Sequence, residues 1–290
     1  MNTPWLLLAL GLSSGALAAL AQTTPGPATD AADSSAYRVT ERGPHSRVWS
    51  RVVWEPGPAG DPVRLVRTYT ELQAGAHYWA DGQWRESEER IESCPGGAKA
   101  VTGQHRVFFP NNLAGPATLR LETPDGKILR SRILGLSYFD ESTGSSVLIS
   151  EIQDCQGVIV EPNQVIYENA FTDFNAAVRF TYTKSGFEQD IILLERPSRL
   201  PEDYQLNLAS SRLQVWSELV EAPEVVLVPG SAEPGPEARP DPLIRMGAGH
   251  IGRGRAFSLG EGPQGRGIGV SKQWIQVEGR QFLVEEIPVP

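Results

Sequence analysis

The chain has 290 residues, 40% of them hydrophobic and 21% charged, with a formal net charge of −9. That is long and apolar enough to bury a core without cross-links. The acidic balance argues against nucleic acid or an anionic membrane surface as partner.

Residues 1–21, MNTPWLLLALGLSSGALAALA, are uncharged and almost wholly apolar from Trp5 to Leu20. The run is short for a membrane-spanning helix of about 20 residues. It ends in small residues, with an A-x-A cleavage signal at Ala19-Leu20-Ala21 before Gln22 and a second one at Ala16-Leu17-Ala18. The expectation is a secretory signal peptide: a secreted, periplasmic or cell-surface protein with no membrane insertion once the signal is cleaved. No Cys follows either cleavage site, so no lipid anchor is expected. Residues 22–36 are small, polar and Pro-bearing, which predicts a flexible leader.

Strand patterns begin at YRVT and SRVWSRVVWE, where Val48, Trp49, Val52, Val53 and Trp54 sit among Arg and Ser, and resume in VRLVRTYTEL after a Pro/Gly break at residues 55–62. In HYWADGQWRE the pair Asp81-Gly82 predicts a two-residue hairpin turn, because both central positions need positive φ. That register sets Trp79 opposite Trp84. LRLETPDGKILRS repeats the device and places Leu121 opposite Leu129 and Arg120 opposite Arg130. SVLISEI and GVIVEPNQVIY follow as strands. Next, AVRFTYTKSGFEQDIILLE reads as a hairpin with Val178, Phe180 and Tyr182 on one face and Ala177, Arg179, Thr181 and Thr183 on the other. Its predicted loop is Lys184-Ser185-Gly186, the glycine taking a left-handed conformation. RLQVWSELV is a further strand. Residues 221–242, with six prolines, read as a linker or long loop.

No amphipathic helix exceeds about two turns, the best being Pro201–Ala209. The expected fold is therefore all-β: a sandwich of antiparallel hairpins with Pro/Gly-rich linkers and little helix. The expected organisation is signal peptide 1–21, leader 22–36, β-sandwich 37–220, linker 221–242, and a C-terminal β segment 243–290. That last segment either packs on the sandwich or is an incomplete second module.

Chemical motifs are sparse. GLSSG (Gly11–Gly15) matches a nucleophile elbow but lies in the signal peptide. GAGHIG (Gly247–Gly252) matches a dinucleotide fingerprint, but the segment after it is too Gly-rich to be the required helix, which predicts a β-loop with close backbone packing. His45, His77, His105 and His250 form no H-x-H or H-x-x-x-H pair, so no metal site is assigned, and no cofactor is expected. Glu188 and Asp190 are a carboxylate pair at i, i+2 whose simplest reading is a solvated strand face rather than a glycosidase pair. The two cysteines, Cys94 and Cys155, predict one disulfide in an oxidising compartment, contributing about 4 kcal/mol across so long a loop. The other readings are two unpaired structural thiols or a thiol with chemistry. Tyr78, Trp79 and Trp84 are the best ligand-binding candidates, since flat aromatic rings on a rigid hairpin suit sugar rings. A sugar platform requires Trp79 and Trp84 exposed and coplanar; otherwise the rings are cross-strand packing.

VIYENAFTDFNAAVRFTYTKSGFEQDIIL (Val165–Leu193) resembles a segment in the N-terminal β-rich regions of large secreted bacterial RHS/YD-repeat and wall-associated-type proteins. Tyr167, Phe171, Phe174, Tyr182, Gly186, Glu188, Ile192 and Leu193 carry the pattern. The span from Tyr78 to Glu195 looks like the β-sandwich module of such proteins, and the end of the chain is similar to a segment that follows that module. Asn175-Ala176 stands where an acid often precedes the aromatic strand, and YD repeats are absent, as if the chain were a front end. The resemblance implies an exported, non-catalytic structural or binding module whose partner is polysaccharide or another surface protein, and it assigns no catalytic residue. The competing expectation is a carbohydrate-binding module or carbohydrate-active enzyme.

Overall fold

Short strands joined by tight turns fill the chain. The structure is a computed structural model that describes residues 7–13, 36–58, 60–230, 241–260 and 267–289. The predicted leader and the middle of the predicted linker (231–240) lie outside the described residues, apart from Ala36. Helical backbone among the described residues is confined to two single 3-10 turns, Pro201–Tyr204 and Leu208–Ser210. The fold is all-β and sandwich-like, as the strand spacing implies.

The first strand is β1 (Leu7–Ser13), inside the predicted signal peptide. A three-stranded antiparallel sheet follows, β2 (Arg38–Gly43), β3 (Ser46–Pro56) and β4 (Pro62–Leu72), and then a hairpin, β5 (His77–Ala80) and β6 (Gln83–Glu86). The remaining strands are β7 (Glu92–Cys94), β8 (Gly97–Ala100), β9 (Arg106–Pro110), β10 (Leu119–Glu122), β11 (Ile128–Asp140), β12 (Ser145–Glu151), β13 (Gly157–Val160), β14 (Gln164–Tyr167), β15 (Ala176–Tyr182) and β16 (Gly186–Leu193). After the 3-10 turns come β17 (Ser211–Glu221), β18 (Val225–Val228), β19 (Leu243–Met246), β20 (Gly249–Ile251), β21 (Gly254–Phe257), β22 (Ile268–Val277) and β23 (Arg280–Pro288).

These strands fall into two compact units. One holds β1 with residues 89–101 and 105 onward; the other holds β2 to β6, up to Glu88, with residues 102–104. Residues 37–220, expected as one sandwich, are thus divided between the units: 37–88 and 102–104 in the smaller, the rest in the larger. The strands on both sides of the Pro-rich stretch belong to the larger one. Within that stretch Val225–Val228 is itself a strand, paired with β19.

In the larger unit two antiparallel sheets face each other. One runs β13-β14-β15-β16-β1 and continues through β20 and β21. The other runs β7-β8-β9-β10-β11-β17-β23-β22, with β12 also on β11. Strand β22 belongs to both: Ile268–Val270 pair with β21 and Ser271–Val277 with β23. The two sheets meet through aromatic rings. Phe109 on β9 lies 5.8 Å from Phe180 and 6.0 Å from Phe187 between centroids, and all three are buried. The hydroxyls of Tyr167 and Tyr182, also buried, donate to the carbonyls of Pro110 and His105. Each ring therefore fills the core while its polar end is satisfied by the facing sheet.

The turns behave as their residues require. Asp81 and Gly82 have φ of 51° and 75°, and Trp79 pairs with Trp84. Gly126 has φ 76°, and Leu121 pairs with Leu129 and Arg120 with Arg130. The β15–β16 turn differs from expectation. Thr183 and Gly186 exchange N–H···O bonds of 2.9 and 3.4 Å, so the loop is only Lys184-Ser185 and Gly186 is the first residue of β16 rather than a left-handed turn residue.

Candidate functional site

In the smaller unit the aromatic hairpin forms as expected, but its rings do not make one platform. Trp79 is 52% exposed and Trp84 half-buried, with centroids 5.1 Å apart and planes at 75°. This is an edge-to-face pair rather than the coplanar surface a sugar ring stacks on. Tyr78 opposes Arg85 and, as the strand neighbour of Trp79, points to the other face.

The sheet β2-β3-β4 has a feature the sequence pattern understated: none of its residues is buried. Its register puts Val53, Leu65, Val63, Trp49 and Tyr69 on one face and Val48, Val52, Val66, Trp54 and Leu72 on the other. Apolar rows on both faces are the pattern of a strand pair covered on both sides. Here Trp54, Val63, Leu65, Val66, Tyr69 and Leu72 are exposed. What order the sheet has comes from surface contacts: Trp49 stacks on Tyr69 at 6.1 Å and donates from Nε1 to Glu71 at 2.8 Å, and Arg67 pairs with Glu55. Exposed ion pairs contribute about 1 kcal/mol or less each, so this sheet offers an unmatched apolar surface.

In the larger unit a cleft of about 530 Å³ opens between the β7–β8 and β13–β14 hairpins, lined by Cys94, Gly97, Asn111, Gly157, Val158 and Tyr167 among others. Gly157 is required there: a Cβ would lie 2.8 Å from the Tyr167 ring. The predicted Cys94–Cys155 disulfide does not form. Both thiols are free; Cys94 is half-buried at the cleft and Cys155 is buried. Cys94 ends β7 opposite Gly97, whereas Cys155 sits in the bend after β12, its N–H donating to Asn112 Oδ1. Burial also holds the Cys155 thiol above its usual pKa, so it is packed as a small apolar side chain.

The carboxylates depart most from expectation. Asp190 is not on a solvated face: it is 1% exposed and paired at 2.8 Å with Arg179, directly opposite on β15. Its Oδ1 has no hydrogen-bond partner among the described residues, and burial pushes its pKa up to about 6 against the pull of Arg179. Glu188 remains exposed, so the two do not form a pair.

A second buried acid was invisible in the sequence. Glu285 on β23 is fully buried, lies opposite Lys272 on β22, and has neither carboxylate oxygen hydrogen-bonded among the described residues. Lys272, itself buried, pairs instead with Asp241. Desolvation raises the Glu285 pKa to about 8, with Lys272 opposing the shift and Asp241 adding to it. Nearby Glu286 accepts from Gln214, Gln273 and Ser271, and Glu218 joins Arg132 and Arg280. These partners are cross-strand neighbours that lock β11, β17, β22 and β23 together.

His45, His77 and His105 are tied into backbone. His45 Nδ1 accepts from the Gly75 N–H at 2.9 Å, and His77 Nδ1 meets Gly43 O at 2.8 Å. His105 Nε2 meets Gly186 O at 3.1 Å, with burial lowering its pKa to about 4. His250 is half-buried on β20, where burial also lowers its pKa. Among the described residues no three His, Cys, Asp or Glu side chains gather as a metal site would require. GAGHIG is the β19–β20 turn: Gly247 has φ 59°, a Cβ there would meet Asp125 Oδ2 at 2.8 Å, and Ala248 N–H donates to Asp125 Oδ1. Ser13 of GLSSG is the last residue of β1. No protein-family model, curated protein or solved structure matches this chain.

Proposed function

We propose that the chain is an exported, non-catalytic β module that docks a partner protein through the β2-β3-β4 sheet. In this reading it is a building block of a bacterial secreted or surface protein, of the kind suggested by the RHS/YD-repeat resemblance. The carrying observation is that three strands, two of them 11 residues long, have no buried residue yet carry apolar side chains on both faces. Three strands need a covered apolar face to be stable alone, and large exposed apolar patches mark interaction sites. A protein partner suits this surface because its exposed side chains are largely aliphatic, Val63, Leu65, Val66 and Leu72, while the Trp79–Trp84 pair of the separate β5–β6 hairpin meets edge-to-face and makes no sugar platform.

The test is sedimentation of the purified chain with cell-envelope material, untreated or protease-treated, alongside Leu65→Lys, Val66→Lys and Trp79→Ala variants of unchanged circular dichroism. Binding should be lost on protease treatment and fall about tenfold or more in each β4 variant, the scale of a central apolar contact. Binding that survives protease and is lost only with Trp79→Ala would instead make this a sugar-recognition module. Absence of binding in every condition would refute docking.

A further inference from the structure

Strand β1 lies within the segment expected to be cut off on export, yet it fills an interior position in a sheet. All seven of its residues pair with β16, from Leu7 opposite Ile192 to Ser13 opposite Gly186. On its other edge Leu7, Leu8 and Ala9 pair with Phe257, Ala256 and Arg255 of β21, and Leu12 and Ser13 with Ile251 and His250 of β20. Strands in a sheet are about 4.8 Å apart, so β16 and β21, on either side of β1, stand roughly twice that distance from each other. Removing β1 exposes two facing rows of unpaired backbone N–H and C=O groups that cannot reach each other without a shift of about one strand width. A small apolar cavity lined by Phe187, Gln189, Ile251, Leu119, Leu129 and Leu283 lies beside the slot.

We propose that the slot between β16 and β20–β21 is a strand-acceptor site, filled in the exported protein by a strand from a partner polypeptide. This rests on the export reading above. The register specifies the donor's chemistry. It runs antiparallel to β16, is seven residues long and carries no charge. Large apolar residues stand opposite Phe187, Gln189 and Ile191, where β1 has Leu12, Leu10 and Leu8. Small residues stand opposite Glu188 and Asp190, where β1 has Gly11 and Ala9. Asp190 is buried there, so an acidic donor residue would be desolvated beside a like charge. Main-chain pairing supplies affinity and the alternating side chains supply selectivity, as in other strand additions.

The test uses the full chain with a specific protease site inserted between Ala21 and Gln22, carrying Gln189→Cys, cut or uncut. The probes are labelled peptides of residues 5–15 with solubilising lysines at both ends and Leu10→Cys. With the released 1–21 segment separated off and oxidised glutathione added as oxidant, the cut chain should capture the peptide and form a disulfide between positions 10 and 189, mapped by mass spectrometry away from Cys94 and Cys155, while the uncut chain should not. Peptides with Ala9→Pro, Ala9→Asp or the alternation shifted by one residue should bind about tenfold or more weakly, since each removes a ladder bond, adds a charge or reverses the faces. If the cut chain loses structure alone, refolding with the first peptide but not the proline peptide gives the same answer. Equal capture by cut and uncut chains, pattern-blind capture, or a folded cut chain that captures nothing overturns the proposal. So does an exported product whose intact mass retains residues 7–13, because its own strand then fills the slot. Failure of export is read separately, from the absence of product outside the cytoplasm, and leaves the peptide result to decide the slot.

Discussion

Replacing Glu285 by Gln should remove most of the loss of stability at neutral to mildly alkaline pH. The folded chain holds this carboxyl protonated to about pH 8, against 4.5 for the free side chain. The unfolded chain releases the proton first, so stability is greatest below pH 4.5 and declines as pH rises through 8. At about 1.4 kcal/mol per pH unit between the two values, the whole decline is about 4 to 5 kcal/mol. The informative window is pH 6.5 to 8. There Asp190, with a folded pKa near 6, is already largely ionised, and the lowered pKa values of His77, His105 and His250 act at lower pH. A decline of about 2 kcal/mol is expected across that window in the parent, and almost none in Glu285→Gln, which keeps the shape and gains an amide donor. Amide hydrogen exchange in β17 and β23 of the full chain reports the larger unit alone. A parent with flat stability over that window, or a variant that keeps the slope, would refute the account of Glu285 as a buried acid held neutral.

Three further outcomes are expected. Arg179→Ala should destabilise the chain by about 3 kcal/mol or more at pH 8, where it strands a buried Asp190 charge, and by clearly less at pH 5, where that carboxyl is protonated; equal costs at both pH values in denaturant titrations would count against it. Both cysteines should alkylate in denaturant without reductant, and in the folded chain Cys94 should react before the buried Cys155; modification only after reduction would restore the disulfide. Gly135→Ala should destabilise by about 3 kcal/mol or more, because the added Cβ would sit 2.2 Å from the Ser150 carbonyl oxygen, and an unchanged melting temperature would contradict that contact.

What the sequence disclosed was local. Asp81-Gly82 and Asp125-Gly126 announce their turns because few residues accept positive φ, and the hairpin registers follow from the turns. The alternation of Val178, Phe180 and Tyr182 correctly marks a core face, because all three are buried. What stayed hidden depends on partners distant in sequence. Asp190 looks solvent-facing at i, i+2 from Glu188, and only Arg179 across the ladder explains how it can be buried. Glu285 sits in a run, FLVEEIP, whose charge reads as surface, yet β17 and β22 flank it on both sides. The cysteines match an exported disulfide by number and compartment, and nothing in their spacing reveals that β7 and the bend after β12 hold them apart. The unburied β2–β4 sheet was legible only as strands, because alternation does not say whether a face finds a cover.

The position of β23 bears on how the chain reaches its folded state. It lies between β17 and β22 rather than at an edge, so that sheet cannot close until residues 280–288 are available, long after β7–β12 have been made. During synthesis the early strands wait with their apolar faces exposed, and the last hairpin to emerge completes the ladder. Such delay leaves that sheet incomplete until the chain is almost fully made. It also places the greatest hazard of misassembly in that interval, when β17 has an open flank that any other extended segment can occupy.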